Sequence, residues 1–107
     1  MLNFAQMKWM NIPHMNGGEG MVSAAPFADE QVKILRGVLK KGCSVGLHKH
    51  TDDCEIVYVL KGTARCLLDG AEEIVGPGQC HYCPKGSSHM VENAGEEDLQ
   101  VFNVVAK

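Results

Sequence analysis

Short apolar runs separated by turn-forming residues recur along the whole chain, with turns about 8 to 12 positions apart. No stretch has the apolar spacing of an amphipathic helix. This pattern is typical of an all-β sandwich or barrel. It predicts nine strands, at residues 20–25, 31–39, 43–50, 55–60, 63–68, 71–75, 79–83, 88–93 and 99–106.

Three segments between these strands have the residues of specific turns. Asp69-Gly70 predicts a two-residue hairpin, whose central residues need positive φ. Gly76-Pro77-Gly78 predicts a type II turn, with Pro at the second position and Gly at the third. Pro84-Lys85-Gly86 predicts a type I turn with Gly at its last position. This last turn would redirect the chain shortly before the next strand.

Two groups of residues have a regular spacing that chance does not explain. The first group is Gly42, His48, His50, Glu55 and Gly62, and the second is Gly78, Pro84, Gly86, His89 and Asn93. Because Gly is about 7% and Pro about 5% of average sequence, ten such positions coincide at random far less than about once in a billion trials. In these two groups the chain resembles the cupin superfamily, from about residue 20 to residue 105.

The resemblance implies a fold and a metal site. The fold is a small double-sheet barrel, the jelly roll or double-stranded β-helix, formed by residues 20–107 after an N-terminal arm at 1–19. The site is a divalent transition metal, such as Mn, Fe, Ni or Zn, held by His48, His50, Glu55 and His89. Cupins include dioxygenases, decarboxylases, isomerases and proteins that only bind, so the resemblance implies no single reaction.

Strand geometry supports this ligand set. His48 and His50 are two positions apart, so they project from the same face of a strand with backbones about 7 Å apart. A turn-rich segment then leads to Glu55, the first inward residue of the next strand. A lone inward His is more often a core residue, but three His and a Glu at these offsets favour a metal. The alternative is a degenerate barrel that keeps the residues without loading metal.

The expected charge and coordination of this site indicate what it would bind. Three neutral imidazoles and one carboxylate around a divalent ion leave a formal charge of about +1, which attracts anionic oxygen donors. An octahedral metal such as Mn, Fe or Ni would have two further positions for ligands, whereas zinc often has four or five ligands.

Composition excludes several classes of protein. A chain of 107 residues predicts one domain with a modest core. The net charge of −3, with scattered Lys and Arg, excludes a basic stripe for nucleic acid. No apolar run is long enough for a membrane span, and the first ten residues lack the features of a secretion signal. We therefore expect a cytoplasmic protein, and five cysteines without a disulfide layout agree with a reducing compartment.

The cysteines and the other polar residues offer few catalytic candidates. Cys80 and Cys83 should face opposite sides of a strand, so we interpret them, with Cys43, Cys54 and Cys66, as small buried apolar residues. Val57 and Val59 share the inward face of Glu55 and should form an apolar wall. Possible polar participants are Tyr58, Tyr82, His81 and Arg65. The pattern does not decide whether His81 with Cys83, or Cys80 with Tyr82, faces the cavity.

The N-terminal arm contains apolar residues among polar ones: Met7, Trp9, Met10 and Met15, with His14 beside them. Its apolar content predicts docking, either over the mouth of the barrel or on a partner subunit, and the alternative is a partly ordered terminus. His14 could reach the mouth, although a surface histidine is the simpler interpretation. The small core, unpaired sheet edges and the cupin resemblance together predict a homodimer.

The sequence is compatible with two main functions and with a third, less favoured one. The first is a metal-dependent enzyme, of dioxygenase, decarboxylase or isomerase type, acting on a small oxygen-rich metabolite that chelates the metal. The second is a non-catalytic module that binds a metabolite or metal, favoured by the chain's small size. A purely structural subunit would be indicated by a cavity packed shut.

Overall fold

The computed structural model describes every residue, Met1–Lys107, and consists almost entirely of strands. In chain order the strands are β1 Met10–Pro13, β2 Met21–Ala28, β3 Val32–Leu39, β4 Ser44–Lys49, β5 Cys54–Lys61, β6 Ala64–Leu68, β7 Ala71–Val75, β8 Cys80–Cys83, β9 Ser88–Asn93 and β10 Leu99–Ala106. One short 3-10 turn lies at Met15–Gly17. The all-β prediction is confirmed, and β2 to β10 correspond to the nine predicted strands.

The strands form two antiparallel sheets. The larger sheet has the order β1-β2-β3-β10-β5-β8, and the smaller has the order β4-β9-β6-β7. Successive strands β4, β5 and β6 alternate between the two sheets, so the chain crosses the sandwich repeatedly. This is the predicted double-sheet jelly roll. No helix is long and apolar enough to cross a bilayer.

The core lies between the two sheets and follows the alternation of the strands. On β5, Glu55, Val57 and Val59 are buried while Ile56 and Tyr58 between them are exposed. The apolar wall predicted from Val57 and Val59 is therefore confirmed. The largest fully buried apolar side chains, apart from these two, are Leu39, Leu99, Cys66 and Cys83. Burial of each Val or Leu side chain contributes about 1.5–3 kcal/mol before the entropy cost of ordering it.

Two of the predicted turns are confirmed. Leu68 and Ala71 pair across the Asp69-Gly70 hairpin, whose residues have φ of 48° and 85°. In the second turn Gly78 has φ 83°, and the Gln79 N–H donates to the Gly76 carbonyl oxygen at 3.0 Å. Gly78 is thus the third residue of that turn, as a type II turn requires.

The turn at Pro84 differs from the prediction. The Ser87 N–H donates to the Pro84 carbonyl oxygen at 3.1 Å, so Gly86 is the third residue rather than the last. Gly86 has φ 91°, a conformation that a type II turn needs at this position and a type I turn does not. The predicted type I turn is therefore wrong, because the proline is the first residue of the turn and not the second.

The segment before Gly20 docks on the barrel and extends its larger sheet. β1, which the sequence did not predict, pairs with β2 from Met10↔Ala24 to Pro13↔Met21. The Phe4 ring packs edge-on against Phe102, with centroids 5.9 Å apart. The predicted docking of the arm therefore occurs on its own chain.

Candidate metal centre

The four side chains predicted as metal ligands meet at one point between the sheets. Their ligand atoms all lie within 4.8 Å of one another. His89 Nε2 lies 3.0 Å from the Nε2 atoms of both His48 and His50, and 2.9 Å from Glu55 Oε1. Glu55 Oε1 lies 3.0 Å from His50 Nε2 and 3.8 Å from His48 Nε2. Three imidazole nitrogens and one carboxylate oxygen therefore surround a common centre.

A bulge in β4 brings His48 to the inside. Val45 pairs with Val91 and His48 with His89, so two residues of β4 stand opposite one of β9. Val45 and His48 both line the cavity although they are three positions apart, and Leu47 is 66% exposed. The extra residue changes the alternation once, because strict alternation would place residues three apart on opposite faces.

Backbone hydrogen bonds hold His50 beside the second motif. The His50 N–H donates to the Ser87 carbonyl oxygen at 2.9 Å, and the Gly86 N–H donates to the His50 carbonyl oxygen at 2.6 Å. These bonds join the two motifs next to the site. Glu55 is the first inward residue of β5, as predicted, and His89 is completely buried on β9.

Each imidazole has a hydrogen-bond partner on its outer nitrogen. His48 Nδ1 lies 2.7 Å from the Gly46 carbonyl oxygen, and His50 Nδ1 lies 2.6 Å from Asp53 Oδ1. Both oxygens only accept, so these rings carry their proton on Nδ1 and direct the Nε2 lone pair inward. His89 Nδ1 has its own partner, His81 Nε2, at 2.9 Å.

This donor set fits a divalent transition metal. Lone pairs on three Nε2 atoms and a carboxylate oxygen, all within 4.8 Å of one another, repel one another unless a cation lies between them. A metal–nitrogen bond of about 2.1 Å would separate ligands at right angles by about 3.0 Å. Outer partners on every ring are also typical of metal-binding histidines. His48, His50, Glu55 and His89 would hold such an ion.

The charges within the site shift the pKa values of its members. Burial raises the pKa of the Glu55 carboxyl, but the interactions with His48, His89 and Asn103 outweigh it and hold that pKa well below its usual range. The interaction with Glu55 raises the pKa of His48, whereas burial lowers the pKa of His89. Glu55 is therefore ionised at neutral pH, and a proton on His48 competes with a metal ion for this site.

A cavity of about 240 Å³ opens beside the four side chains. Its apolar lining includes Val22, Leu35, Leu39, Val57, Val91 and Val101. Met15 and Asn16 of the arm also line it. Lys33, which forms no ion pair, and Asn103, which donates to Glu55 Oε2 at 2.8 Å, are polar residues of the lining. The centre thus has a mostly apolar cavity on one side, so the barrel is not packed shut.

The other polar candidates from the sequence lie elsewhere. Tyr58 and Tyr82 are 39% and 52% exposed on the outer surface, and Arg65 pairs with Glu72 and Glu92. None of these three lines the cavity. His14 is exposed and interacts with the backbone of its own segment, so the surface interpretation is correct.

His81 is the polar candidate whose direction the sequence left undecided. It is completely buried behind His89, and Cys83 shares its face of β8. The deciding signal is its strand partner: His81 pairs with Val57 and Cys83 with Glu55, both inward residues of β5. Alternation within β8 alone does not give this register.

All five cysteines are free, but they are not all buried. Cys80 and Cys83 face opposite sides as predicted, and Cys80 is exposed, so its interpretation as a buried residue is wrong. Cys66 is buried, whereas Cys43 and Cys54 are partly buried. Burial raises the pKa of the Cys66 thiol to about 12 and that of Cys83 to about 11.

Comparison with known proteins identifies relatives of this barrel. An oxalate-binding protein of Thermotoga maritima is 33% identical over 100 residues, covering 88% of this chain and 83% of its own length. A solved structure from Thermotoga maritima, described as a "predicted oxalate decarboxylase", is 29% identical with a TM-score of 0.93, covering 99% of this chain and 97% of that one.

A second group of relatives is much longer. Mannose-1-phosphate guanylyltransferase of Salmonella typhimurium is 30% identical over 77 residues, which are 72% of this chain but 16% of that enzyme. The chain thus resembles one small part of these enzymes. The family model for the cupin domain matches residues 35–105, which include all four predicted metal-binding residues. Sequence match, sheet topology and the convergence of three histidines with one glutamate agree, and the chain belongs to the cupin family.

Proposed function

We propose that this protein binds a divalent transition metal through His48, His50, Glu55 and His89, and through that metal binds a small dicarboxylate of the oxalate class. The observation that carries the proposal is the convergence of three imidazole lone pairs and one carboxylate beside the cavity. The metal, Mn, Fe, Ni or Zn, supplies Lewis acidity and attraction for anionic oxygen.

Charge and size favour a small anion. Three neutral imidazoles, one carboxylate and a divalent ion sum to about +1. Lys33 adds a second positive charge to the lining. The cavity of about 240 Å³ is smaller than the usual pocket of about 300–1,000 Å³ for drug-sized ligands. The oxalate-binding protein of Thermotoga maritima, by its name, points to the same ligand class.

The chain's own residues orient the site and keep it dry. Gly46 and Asp53 hold the rings of His48 and His50 through their Nδ1 atoms. Asn103 donates to Glu55 Oε2, which leaves Oε1 directed at the three histidines. The apolar walls exclude water, which strengthens electrostatic interactions with a bound anion.

Binding is favoured over turnover because the cavity has few acid–base groups. Beyond the four ligands, the ionisable groups of the lining are Asp53, already bound to His50, and Lys33. Enzymes of the decarboxylase or isomerase type use a positioned acid or base near the substrate. Lys33 is the specific feature that supports a metal-dependent enzyme as the second candidate.

Calorimetry with the metal-loaded protein tests the proposal. The protein is stripped with chelator, reloaded with Mn, Fe, Ni or Zn, and titrated with oxalate and with acetate. We expect one oxalate per chain in at least one metal form and no binding to the stripped protein. Absence of oxalate binding in all four forms would overturn the proposal. If ¹³C NMR instead detects the conversion of oxalate to formate and carbon dioxide, the protein is a metal-dependent enzyme.

We propose a second copy of the chain as the protein partner, docked on the outer face of the larger sheet. Tyr82 pairs with Ile56 and Tyr58 with Phe102 on this face, and Ile56, Tyr58 and Tyr82 are 36–52% exposed. A contiguous apolar face of this kind marks an interaction site. Light scattering should give the mass of a dimer for the wild type and of a monomer for Tyr82→Lys; a monomeric wild type would exclude the dimer.

We propose the cytoplasm as the location. All five thiols are free, and free thiols persist in reducing compartments. Fractionation of cells expressing the tagged chain should recover it with cytoplasmic markers, and recovery with secreted proteins would contradict this location.

A further inference from the structure

A chain of hydrogen bonds leads from the metal centre to the opposite surface of the barrel. His89 Nδ1 lies 2.9 Å from His81 Nε2, and His81 Nδ1 lies 2.6 Å from Glu73 Oε1. His81 and His89 are both completely buried, whereas the Glu73 side chain is 45% exposed. Neither His81 nor Glu73 lines the cavity. The chain therefore approaches the site from behind His89, on the side away from the ligand.

The three residues join the two sheets at their edges. Glu73 is on β7, an edge strand of the smaller sheet, and His81 is on β8, an edge strand of the larger one. Glu73 pairs with the buried Cys66, so it is on the inward face of β7. Its hydrogen-bond partner is His81, while its neighbour Glu72 forms an ion pair with Arg65. Glu73 is therefore available for this hydrogen bond without competition from a cation.

The direction of each hydrogen bond follows from the acceptor at the end. The Glu73 carboxylate only accepts, so a His81 ring with a single proton carries it on Nδ1 and has a lone pair on Nε2. His89 must then donate from Nδ1 to that lone pair. This leaves His89 Nε2 as a lone pair aimed at the centre, in the same tautomer that Gly46 and Asp53 impose on His48 and His50.

We propose that Glu73 and His81 are positioning residues that, acting in series, fix the tautomer and ring orientation of His89 and thereby set the metal affinity. The inference rests on the proposed metal binding. His48 and His50 each have an oxygen acceptor directly on Nδ1, whereas the tautomer of His89 depends on two side chains. Loss of such an outer partner typically costs about 10–100-fold in metal affinity.

Metal affinity of matched variants tests the inference. Glu73→Ala removes the terminal acceptor at a half-exposed position, and Glu72→Ala is the control on the same strand. Competition with a fluorescent chelator should show zinc binding weaker by about 10–100-fold for Glu73→Ala. Glu72→Ala should retain wild-type affinity, and Glu73→Asp, which restores a carboxylate, should recover part of the loss. Equal affinities for Glu73→Ala and wild type would overturn the inference.

A double-mutant cycle tests whether the two residues act in series. His81→Phe should weaken zinc binding, and adding Glu73→Ala to it should cause no further loss, because Glu73 acts only through His81. If the two substitutions instead weaken zinc binding by independent factors that multiply in the double variant, Glu73 does not act through His81. Cobalt-substituted protein gives a second readout, since a reoriented His89 should change the visible absorption of the bound ion.

Histidine ¹⁵N NMR of the metal-free protein separates this inference from the proposed function. The wild type should show His89 protonated on Nδ1, and Glu73→Ala should show a mixture of tautomers. If the wild-type protein binds no metal, the proposed function is wrong, but this spectrum still tests whether Glu73 and His81 fix the tautomer of His89. An Nδ1-protonated His89 that is unchanged in Glu73→Ala would overturn the positioning role.

Discussion

Replacement of Lys33 by methionine should weaken oxalate binding without changing metal binding. Lys33 is on the inward face of β3, where it pairs with Val105, and Val105 pairs in turn with Glu55 on β5. With strands about 4.8 Å apart, the backbones of Lys33 and Glu55 are about 10 Å apart at the same level of the sheet. Lys33 is one of the residues that line the cavity, and it forms no ion pair. It is therefore the cation available for a carboxylate directed away from the metal.

The size of the effect follows from the charges. Two unit charges about 4 Å apart attract by about 4 kcal/mol at an effective dielectric constant of about 20. Ordering the lysine side chain costs about 2 kcal/mol. The remaining 2 kcal/mol or so corresponds to about 30-fold in the dissociation constant. Methionine keeps most of the side-chain volume, so the substitution mainly removes the charge.

Isothermal titration calorimetry of the metal-loaded variants measures this effect. We expect the oxalate dissociation constant to rise about 10–100-fold for Lys33→Met. Acetate, which has no second carboxylate, should be affected much less. Lys40→Met is the matched control, because Lys40 pairs with Asp98 at 3.0 Å on the surface. An oxalate affinity equal to that of the wild type in Lys33→Met would refute this account of the cavity.

Three further predictions concern stability, protons and thiols. Gly62→Ala should lower the free energy of unfolding, measured by urea titration, by about 1–3 kcal/mol. The reason is that Gly62 has φ 90° and a Cβ there would lie 2.7 Å from a backbone oxygen. An unchanged urea midpoint would contradict this. Glu55 raises the pKa of His48, so below that pKa a metal ion must displace a proton from His48. The metal affinity should therefore rise with pH and level off above the pKa, and calorimetry in buffers of different ionisation enthalpy measures the released proton. A metal affinity that does not depend on pH would contradict the role of His48 as a ligand. Cys66 and Cys83, with pKa values of about 12 and 11, should resist alkylation at pH 8 until the protein is unfolded. Mass spectrometry of the modified peptides measures this, and rapid labelling of the native protein would contradict the burial of these thiols.

Local alternation and motif spacing predict most of the site. His48 is on β4 and His50 lies one residue beyond its end, and both reach the centre, as the spacing of two positions predicts. Glu55 follows a turn, so its inward position starts a regular alternation that continues through Val57 and Val59. Where neighbouring residues determine the direction of a side chain, the sequence was sufficient.

Features that depend on contacts between distant segments were not predicted. The inward face of β8 is determined by its register with β5, and residues 80–83 offer a plausible core side chain on either face. β1 is four residues long, and its pairing with β2 supplies the hydrogen bonds that define it as a strand. Gly46, in the bulge before His48, lies directly against the docked arm, since a Cβ at this position would collide with the Asn16 carbonyl oxygen. These features arise from packing between segments rather than from local preference.

Metal content measured by inductively coupled plasma mass spectrometry shows whether the four side chains bind an ion. Stripped wild-type protein and the His50→Ala/His89→Ala variant would each be offered Mn, Fe, Ni and Zn and then dialysed. We expect about one ion per wild-type chain with at least one of these metals and almost none in the variant. Wild-type protein that retains none of the four metals, or a variant that retains as much as the wild type, would contradict this expectation.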